Sequence, residues 1–393
     1  MGGKLSFFEI SKNVYWVGVK DWNRRMFDAL IPLPRGTSYN SYLIVGEKKI
    51  LVDTVNPGFE GELKKNVDSI VGLENLDYLV MNHAEPDHSG AIPYVMGLNG
   101  KVKLLTTLKG AKMAQTYYNV PSDRINVVKG GDVLELGGKT LRFIEAPMLH
   151  WPETMFTYLQ EDKILFSCDF FGAHLAEGFF DDDVEDLPVF AQKYFGEIMM
   201  PFKVMGKAAL EKLKDFEVSI IAPSHGPIYK NPDKILGLYR GWVEGVTREK
   251  VVVVYVSMWG STECMAQTIS KTLLSEGVNV LEYNLSHADL GDLVKDLVDA
   301  RAVVLAAPTV LNGAHPLMVY FLYLFNALRP PTKYCVILSS FGWAGGTVRQ
   351  IKEAVGANLE ILYVLDVNGR PNATDLANVV EAGRVLAKKV KGA

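Results

Sequence analysis

The segment that most restricts the fold of this chain is a polar run that directly follows a short apolar stretch. The apolar stretch, Tyr78–Met81, is predicted to be a buried strand. Four side chains that can bind a metal ion come next, within six residues: His83, Glu85, Asp87 and His88. A loop that leaves the end of a strand can turn alternate residues toward opposite sides of one pocket. The segment therefore predicts two neighbouring metal ions, with His83 and Glu85 on one and Asp87 and His88 on the other.

The same pattern recurs at the ends of three later apolar runs, each predicted to be a strand. These runs lead to His150, Asp169 and His225. Taken singly, each has an ordinary explanation, since His150 beside Trp151 could pack in a loop and Asp169 could cap a helix. A chance cluster of charge is the corresponding explanation for the segment after Met81. Repetition at the ends of four strands favours one metal site on loops held by a rigid scaffold, because clusters of His and carboxylates are typical of metal sites.

The region before residue 170 is predicted to be rich in short strands. Helical patterns at Glu60–Val71 and Lys109–Tyr118 lie between some of them. Such a mixture indicates a layered α+β or α/β domain and not a pure sandwich. The predicted strands are Val14–Gly18, Ser41–Val45, Ile50–Asp53, Tyr78–Met81, Lys103–Thr106, Leu141–Glu145, Thr154–Leu159 and Ile164–Ser167.

The last third of the chain has a different pattern. After a helix predicted at Ile235–Val246 and a short charged joint at 247–250, the run Val251–Val256 is too uniformly apolar for a strand with one exposed face. It is typical of a central strand in a parallel sheet covered on both sides. Five such runs alternating with helical patterns indicate a doubly wound α/β domain. We therefore predict two domains, 1–249 and 250–393, as expected for a chain of 393 residues. The later runs are Val278–Leu285, Ala302–Ala307, Cys335–Ser339 and Ile361–Asp366, and an amphipathic helix follows at Asp375–Lys389.

Three loops of the second predicted domain leave the carboxyl ends of strands, where ligands of open α/β sheets bind. The first, Ser257–Thr262, has small and hydroxyl residues ahead of a helix predicted to begin near Glu263. Backbone N–H groups and the helix dipole at such a position favour a phosphate. The spacing matches neither a Walker loop nor GxGxxG, and an ordinary helix-capping turn is the alternative. The other two loops, Ala307–Gly313 and Ser340–Gly346, favour a bound ligand.

Charge and cysteine usage exclude several classes of protein. The net charge is −4 and there is no basic block, which argues against nucleic acid or an anionic membrane as the main partner. No apolar run approaches the ~18 residues of a membrane span, and the first residues lack the apolar core of a signal peptide. Cys168, Cys264 and Cys335 are scattered and form no CxxC pair. This usage predicts a cytoplasmic protein without a rubredoxin-type or iron–sulfur module of its own.

The metal-binding pattern resembles a known family. The spacing His83-x-Glu85-x-Asp87-His88, followed by His150, Asp169 and His225, is similar to the metallo-β-lactamase fold, and more specifically to its diiron version in flavodiiron proteins (A-type flavoproteins). Hydrolases of that fold have HxHxDH, whereas this chain has a glutamate at the second position. A carboxylate in place of an imidazole favours iron over zinc.

The resemblance implies two iron ions per chain and assigns their ligands. One ion takes His83, Glu85 and His150, the other takes Asp87, His88 and His225, and Asp169 bridges them at the roughly 3.5–4 Å typical of two-metal sites.

The second predicted domain is similar to the flavodoxins, so the resemblance covers essentially the whole chain and implies FMN as a cofactor. The fold it implies is a metallo-β-lactamase αββα sandwich followed by a flavodoxin-like doubly wound parallel sheet. The loop at 257–262 would hold the FMN phosphate, and Trp343 would border the isoalloxazine ring. The predicted FMN-binding residues are Ser257, Met258, Trp259, Gly260, Ser261, Thr262, Pro308, Thr309, Val310, Leu311, Asn312, Gly313, Ser340, Phe341, Gly342, Trp343, Ala344 and Gly345.

Two residues are predicted to take part in catalysis by lining the pocket beside the metals. Many relatives have a histidine where this chain has Asp28, which leaves the preference between dioxygen and nitric oxide open. Tyr194 matches a pocket tyrosine of the family, and its phenol could donate a hydrogen bond to a bound ligand, although a packing role is the alternative. His174 is expected to support the site from behind or to be structural. His287 is expected at the surface, and His315 lies near the second flavin loop.

The resemblance implies an oxidoreductase that reduces dioxygen to water, nitric oxide to nitrous oxide, or both, with electrons passing from FMN to the diiron centre. Relatives are head-to-tail homodimers that place the flavin of one subunit beside the irons of the other. We therefore expect a homodimer, or a tetramer of two such dimers. The electron donor is expected to be a separate molecule: a rubredoxin, a flavin reductase or a reduced deazaflavin.

Two other functions account for part of the sequence. A dinuclear zinc hydrolase of the metallo-β-lactamase fold would use a metal-bound hydroxide, but it explains neither Glu85 nor a flavin-type domain. An electron-transfer flavoprotein with an inactive metal domain conflicts with the complete set of seven ligands.

Overall fold

The structure is a computed structural model, and it describes residues 7–392. These residues form two compact units. The first comprises the described residues up to Phe195 together with Phe202–Arg240, and the second comprises Gly196–Pro201 together with the described residues from Gly241 onward. Within residues 7–392, no helix combines the length and the apolar character needed to cross a lipid bilayer. The boundary between residues 249 and 250 stays a prediction.

The first unit mixes short strands and helices. In chain order they are β1 (Phe8–Ser11), β2 (Val14–Trp16), β3 (Val19–Asp21), β4 (Met26–Phe27), β5 (Ile31–Pro32), β6 (Thr37–Tyr39), β7 (Tyr42–Val45), β8 (Lys49–Val52), α1 (Glu60–Asp68), β9 (Tyr78–Val80), α2 (Pro86–Ser89), α3 (Ile92–Leu98), β10 (Lys103–Thr106), α4 (Leu108–Tyr118), β11 (Ile125–Val127), β12 (Val133–Glu135), β13 (Thr140–Glu145), β14 (Met155–Leu159), β15 (Ile164–Cys168), α5 (Leu187–Tyr194), α6 (Lys203–Leu213), β16 (Ile220–Pro223) and α7 (Pro232–Val243).

Two sheets form the centre of this unit. One has the order β1-β2-β7-β8-β9-β10-β11 and the other β12-β13-β14-β15-β16. Between them lies a core to which both contribute, for example Ile44 and Val80 from the first and Phe143 and Phe166 from the second. Helices α1, α3 and α4 pack on the outer face of the first sheet through a separate core. On the second sheet, Tyr239 of α7 packs against Phe170, whose ring stacks on that of Phe156 in β14. The layers are therefore helix, sheet, sheet, helix.

The strand order explains why distant segments meet. Strands β8, β9 and β10 are parallel neighbours in the first sheet, and β15 and β16 are parallel neighbours in the second. Parallel neighbours have their carboxyl ends at one edge of the sheet. The segments that follow β9, β15 and β16 carry His83, Asp169 and His225 to the same edge of the stacked sheets.

The second unit is an open parallel sheet with helices on both faces. Its elements are β17 (Arg248–Tyr255), α8 (Ser261–Ser275), β18 (Asn279–Asn284), α9 (Leu290–Leu297), β19 (Ala300–Val310), β20 (Gly313–Ala314), α10 (Pro316–Leu328), β21 (Tyr334–Phe341), α11 (Thr347–Val355), β22 (Glu360–Asn368) and α12 (Ala373–Lys391). The sheet order is β18-β17-β19-β21-β22, and β20 forms a hairpin with β19.

The first strand of this sheet shows why its sequence is apolar throughout. Val251 and Val253 lie in the core beneath α8 and α12, whereas Val252 and Val254 lie in the core beneath α9, α10 and α11. All four side chains are fully buried, and each contributes roughly 1.5–3 kcal/mol by leaving water. The predicted doubly wound sheet is confirmed.

One prediction about this region was wrong. The charged segment at 247–250 is not a joint, because β17 already begins at Arg248. Asp299 makes this possible. Its carboxylate pairs with Lys250, which is only 5% exposed, and lies 3.0 Å from Nε of Arg248. The cations of this segment are therefore strand residues with a buried counter-charge. The short strands β3 to β6 were also not predicted, because each spans only two or three residues.

Candidate functional site

The seven predicted metal ligands lie together at the edge where the two sheets present their carboxyl ends. His83 and Glu85 follow β9, Asp87 and His88 lie in the short helix α2, and the other three follow β13, β15 and β16. Three backbone features shape the loops: Asp53 and Cys168 have positive φ, and Gly226 after His225 has φ +77°. A side chain at Gly226 would lie 2.6 Å from a backbone carbonyl oxygen, so only glycine fits this turn.

The ligand atoms separate into the two sets predicted from the sequence. In the first set, Oε2 of Glu85 lies 3.2 Å from Nε2 of His83 and 3.0 Å from Nε2 of His150. In the second, the Asp87 carboxylate lies 3.4 Å from Nε2 of His88 and 3.2 Å from Nε2 of His225. Within each set, all ligand atoms lie within 4.8 Å of one another.

Asp169 connects the two sets. Its Oδ2 lies 3.5 Å from Nε2 of both His83 and His150. Its Oδ1 lies 3.0 Å from Nε2 of His88 and 3.5 Å from Nε2 of His225. The carboxylate therefore presents one oxygen to each set, as a bridging ligand would.

The side chains fit bound metal ions, because several buried polar atoms of the site have no hydrogen-bond partner in the described part of the chain. A buried polar atom without a partner costs roughly 1–3 kcal/mol, and more when it is charged. A pair of cations would satisfy all of them at once. The atoms are Oδ1 of Asp87, Nε2 of His88, and Oδ1 and Oδ2 of Asp169.

Charge interactions in the site keep the carboxylates ionised. Burial opposes ionisation of Asp169, but the nearby imidazoles of His88 and His150 outweigh it and hold the pKa of Asp169 well below its usual value. The pKa of Asp87 is likewise lowered by His88 and His225 against the effect of burial. Burial disfavours the charged form of His150, yet the Asp169 and Glu85 carboxylates raise its pKa to about 10. Without metal, the site therefore holds protons that a cation must displace.

The two residues predicted to act in catalysis differ in position. Asp28 lines a cavity beside the second ligand set, and Tyr194 lies near this cavity without lining it. The cavity, of about 180 Å³, is lined by Asp28, Phe27, Thr37, His174 and three of the ligands, Glu85, Asp87 and His225. Burial and the neighbouring Glu85 raise the pKa of Asp28. Tyr194 is not in the cavity lining, but its ring packs 4.8 Å from that of His174.

His174 is held as a neutral side chain next to His225, in the wall of this cavity. Its Nδ1 lies 3.0 Å from Oγ1 of Thr37, and its ring lies 4.8 Å from that of His225. Burial lowers its pKa well below the usual value, and the charge of His225 adds to this effect. The predicted ligand sets leave it out, and its expected supporting or structural role stays a prediction.

A second cavity, of about 270 Å³, lies at the carboxyl ends of β17, β19 and β21 in the second unit. Helix α8 begins there after Gly260, which has φ +84° and supplies no side-chain cap. The first N–H groups of the helix are thus open to an anion. Thr262 and Ser340 place their hydroxyls 3.2 Å apart in the lining. These features fit the phosphate of a flavin nucleotide. The lining residues are Ser257, Met258, Trp259, Ser261, Thr262, Pro308, Thr309, Ser340, Phe341, Gly342, Gly369 and Arg370.

The other residues predicted to bind FMN lie outside this lining. Gly260 is the residue before α8, and Leu311 and Trp343 are 97% and 92% exposed. The hairpin of β19 and β20 turns the chain at 311–312 away from the sheet. His315 is the N-cap of α10, where its Nδ1 accepts a hydrogen bond from the backbone N–H of Leu317. The remaining predicted residues outside the lining are Val310, Asn312, Gly313, Ala344 and Gly345.

Comparison with known families agrees with this division of the chain. Residues 37–226 match the ODP family beta lactamase model, and residues 253–383 match the flavodoxin model. A nitric oxide reductase of Moorella thermoacetica is 38% identical over 391 residues, covering 97% of this chain and 98% of that protein.

Solved structures that contain both domains in one chain are also similar to this protein. The rubredoxin oxygen:oxidoreductase of Desulfovibrio gigas is 30% identical and superposes with a TM-score of 0.96, covering 98% of this chain and 99% of that one. The flavodiiron protein of Giardia intestinalis is 27% identical, with a TM-score of 0.95 and coverage of 100% and 98%. This chain belongs to the flavodiiron protein family.

The family and the fold class predicted from the sequence are therefore confirmed. With them, the predicted enzyme class, an oxidoreductase, and the predicted cofactors, FMN and two irons per chain, are confirmed as those of flavodiiron proteins. The assignment of individual side chains to the metals and to FMN is a separate matter and stays a prediction.

Sequence reasoning missed three residues of the sites in this flavodiiron protein. Glu153 accepts a hydrogen bond from Nδ1 of His83 at 2.7 Å, and Gly369 and Arg370 line the flavin cavity. The Gly-Arg-Pro run after the fifth predicted strand was a usable signal for the flavin cavity, since it leaves another carboxyl end. Nothing in the sequence sets Glu153 apart from other glutamates.

Proposed function

We propose that this flavodiiron protein reduces dioxygen to water or nitric oxide to nitrous oxide at two irons held by the seven predicted ligands. The observation that carries the proposal is Asp169, whose two unpartnered oxygens face two separate sets of histidine and carboxylate ligands. Glu85 supports iron over zinc. With Glu85 in the first set, each ion has two imidazoles, one terminal carboxylate and a share of the bridging Asp169, and such oxygen-containing sites favour iron. Similarity to a nitric oxide reductase and to a rubredoxin oxygen:oxidoreductase supports both gases.

The bound cofactors supply the electrons: four electrons and four protons convert dioxygen into two waters, and two of each convert two nitric oxide molecules into nitrous oxide and water. The protein's own residues place the ligands and shape the pocket. The cavity of about 180 Å³ beside Asp87 and His225 is large enough for a diatomic gas. Its apolar wall, Phe27, and its polar groups, Asp28 and Thr37, bound the space from which a gas would reach the metals.

Two side chains near the metals are placed to donate protons or hydrogen bonds. Tyr194 is 2% exposed, and burial together with the Asp169 charge raises the pKa of its phenol well above the usual value, so it stays protonated. Asp28 lines the cavity, and its raised pKa makes it more readily protonated than an ordinary aspartate. We assign Tyr194 as a hydrogen-bond donor and Asp28 as a proton-donating group of the pocket.

Electrons would enter through FMN in the second unit from a separate donor. Cys264 and the buried Cys168 and Cys335 are free and far apart in the sequence, so they form no rubredoxin-type site. A rubredoxin is the donor that the name of the Desulfovibrio gigas protein supports, and a flavin reductase or a reduced deazaflavin would serve the same role. Such small electron carriers are consistent with a cytoplasmic location.

The protein is proposed to act as a head-to-tail homodimer, or as a tetramer of two such dimers. Large apolar side chains stand exposed around the flavin cavity: Trp259 is 90% exposed, Leu311 97% and Trp343 92%. Exposed apolar groups clustered at a cofactor edge are typical of a surface that another protein covers.

Anaerobic turnover with each gas in parallel tests the function. Protein with two irons and one FMN per chain would be supplied with electrons by one fixed donor, and the consumption of dioxygen and of nitric oxide would be followed with electrodes. Consumption of either gas, dependent on iron, supports the proposal, and the faster gas identifies the preference. Zinc-loaded protein is the matched control and should consume neither. Hydrolysis of a thioester or phosphodiester by the zinc form, with no gas consumption by the iron form, would favour the hydrolase.

A further inference from the structure

Glu153 lies outside the seven ligands but contacts one of them directly. Its Oε1 accepts hydrogen bonds from Nδ1 of His83 at 2.7 Å and from the backbone N–H of Ala84 at 2.8 Å. Both His83 and Glu153 are buried, at 0% and 1% exposure. Oε2 of Glu153 has no hydrogen-bond partner in the described part of the chain. The side-chain hydrogen bonds of Glu153 therefore go to His83 and Ala84.

This contact fixes which ring nitrogen of His83 carries the proton. An ionised carboxylate only accepts hydrogen bonds, so Nδ1 of His83 must be the donor. The backbone N–H of Ala84 donates to the same oxygen, so Oε1 acts as an acceptor toward both partners. In the neutral imidazole, the free electron pair is then on Nε2, which faces Glu85 and Asp169. Glu153 thus holds His83 in the form that can bind a metal.

The backbone around this pair is fixed from several directions. Oγ1 of Thr107 donates to the carbonyl oxygen of Glu153 at 2.9 Å, and the phenol of Tyr118 donates to the carbonyl oxygen of Ala84 at 2.6 Å. The ring of Trp151 packs edge-on against His83 at 4.9 Å. Since Glu153 follows His150 by three residues, it also ties together the two loops that supply one ligand set.

The second ligand set has no equivalent carboxylate bond. Nδ1 of His225 lies 2.6 Å from the backbone carbonyl oxygen of Ser38, a neutral acceptor. Nδ1 of His88 has no hydrogen-bond partner among residues 7–392. The Asp53 carboxylate, which lies outside both ligand sets, does not take this role, because its two oxygens accept from the backbone N–H and the side-chain amide of Asn82.

This difference matters because the two sets are otherwise alike. Each has two imidazoles, one terminal carboxylate and one oxygen of Asp169. An imidazole whose N–H donates to a carboxylate gains electron density and becomes a better donor to a metal. A stronger, more anionic donor stabilises the ferric form of an ion more than the ferrous form.

We propose that Glu153 is a positioning residue that makes the two metal positions unequal, by lowering the reduction potential of the ion held by His83, Glu85 and His150 below that of the other ion. When the centre is half oxidised, the ferric ion therefore occupies the position next to Glu153. This inference rests on the proposed function, since it requires iron at both positions.

Three substitutions separate the charge of Glu153 from its shape. Glu153→Gln keeps the oxygen that faces His83, and its amide nitrogen takes the place of Oε2, which has no partner to lose. Glu153→Asp keeps the charge on a shorter side chain. Glu217→Gln removes the same charge at the surface, where Glu217 pairs with Lys163 at 2.6 Å, and serves as the control.

The test is a potentiometric titration of the iron-loaded proteins, followed by the electron paramagnetic resonance signal of the half-oxidised centre, with iron counted per chain. In Glu153→Gln the lower of the two iron potentials should move upward, so that less of the half-oxidised form accumulates. Glu217→Gln should keep the wild-type separation, and Glu153→Asp, which retains the charge but moves it away from Nδ1 of His83, should shift the potential by less than Glu153→Gln. Unchanged potentials in Glu153→Gln with both irons present would overturn the proposal, and so would a shift of equal size in Glu153→Asp.

Failure of this inference can be distinguished from failure of the proposed function. If the wild type holds two irons and consumes gas while Glu153→Gln has unchanged potentials, only the role of Glu153 is wrong. If the wild type binds no iron pair, the proposed function fails before any variant is compared.

Discussion

Oδ1 of Asp169 lies 3.0 Å from Nε2 of His88, yet neither atom takes part in a hydrogen bond. Both atoms are buried, and their groups are not aligned for a shared proton. A buried polar atom without a hydrogen bond is unfavourable unless another group, such as a cation, satisfies it. Oδ2 of the same carboxylate also has no partner and faces His83 and His150. Asp169 is therefore the residue on which binding of both ions is expected to depend.

Asp169→Ala should abolish the consumption of dioxygen and nitric oxide, because it removes the only side chain of the seven that faces both sets. Iron content should fall below two per chain, while the FMN content should stay at the wild-type level. The measurements are iron and flavin analysis and gas electrodes. Asp215→Ala, at an exposed position in the same unit, is the control and should match the wild type. Turnover that survives in Asp169→Ala would show that the ligand assignment is wrong.

Metal binding should release protons, and its apparent affinity should rise with pH. The pKa of His150 is raised to about 10 in the metal-free site, so at pH 7 to 8 its imidazole is protonated and must become neutral to bind a metal. Higher pH removes this competition, so affinity increases toward pH 10. Calorimetry with Zn²⁺ in two buffers of different ionisation enthalpy measures the proton count.

His150→Ala is the comparison for that experiment. It should release about one proton fewer than the wild type at pH 7.5. Equal proton release from both proteins would contradict the protonated state that the contacts of His150 with Glu85 and Asp169 indicate.

The site residues that could be predicted are those marked by a pattern among residues close together in the sequence. The segment at 83–88 carries four ligands in one loop, so its spacing alone indicated metal. The other three predicted ligands, His150, Asp169 and His225, could be listed from the sequence, because each follows an apolar run. Glu153 could not, since its role depends on β14 running beside the segment that carries Asn82, whose carbonyl oxygen accepts from Met155 at 3.0 Å.

The fold was predictable to a similar degree. The central strands of the second unit were found because burial on both faces leaves a continuous apolar run, as in Val251–Val254. The short strands β4 and β5 were missed, because two residues are too few for any periodicity. The start of β17 at Arg248 was hidden for another reason: its charged residues are neutralised by Asp299, about 50 positions later in the chain.

The phosphate end of the flavin cavity can be tested by adding a charge. Ser261 is the first residue of α8 and lines the cavity. Ser261→Glu should repel the FMN phosphate and lower the flavin content at least tenfold, with two irons still bound. Flavin absorbance and iron analysis of the purified protein are the measurements.

Ser261→Ala is the matched variant. It removes the hydroxyl without adding charge and should retain most of the FMN, because the backbone N–H groups of the helix remain. Loss of flavin from both variants alike would indicate that FMN binding depends on the hydroxyl of Ser261 and not on the backbone N–H groups of the helix. Retention of flavin in Ser261→Glu would contradict the predicted phosphate position.

Tyr194→Phe tests the proposed hydrogen-bond donor. Loss of one neutral hydrogen bond to a bound ligand should lower kcat by roughly tenfold, while both irons stay bound. Tyr239→Phe is the control for a buried tyrosine in the same unit: its hydroxyl accepts from the N–H of Phe171 at 3.1 Å. That change should lower the free energy of unfolding by about 1 kcal/mol without affecting kcat. If Tyr194→Phe affects only stability, its role is packing.

The most direct test of the central claim is ⁵⁷Fe Mössbauer spectroscopy of the purified wild-type protein, combined with flavin and metal analysis. We predict two irons per chain as one magnetically coupled pair, together with one FMN. Zinc in the site, isolated uncoupled irons, or the absence of a flavin would contradict the account.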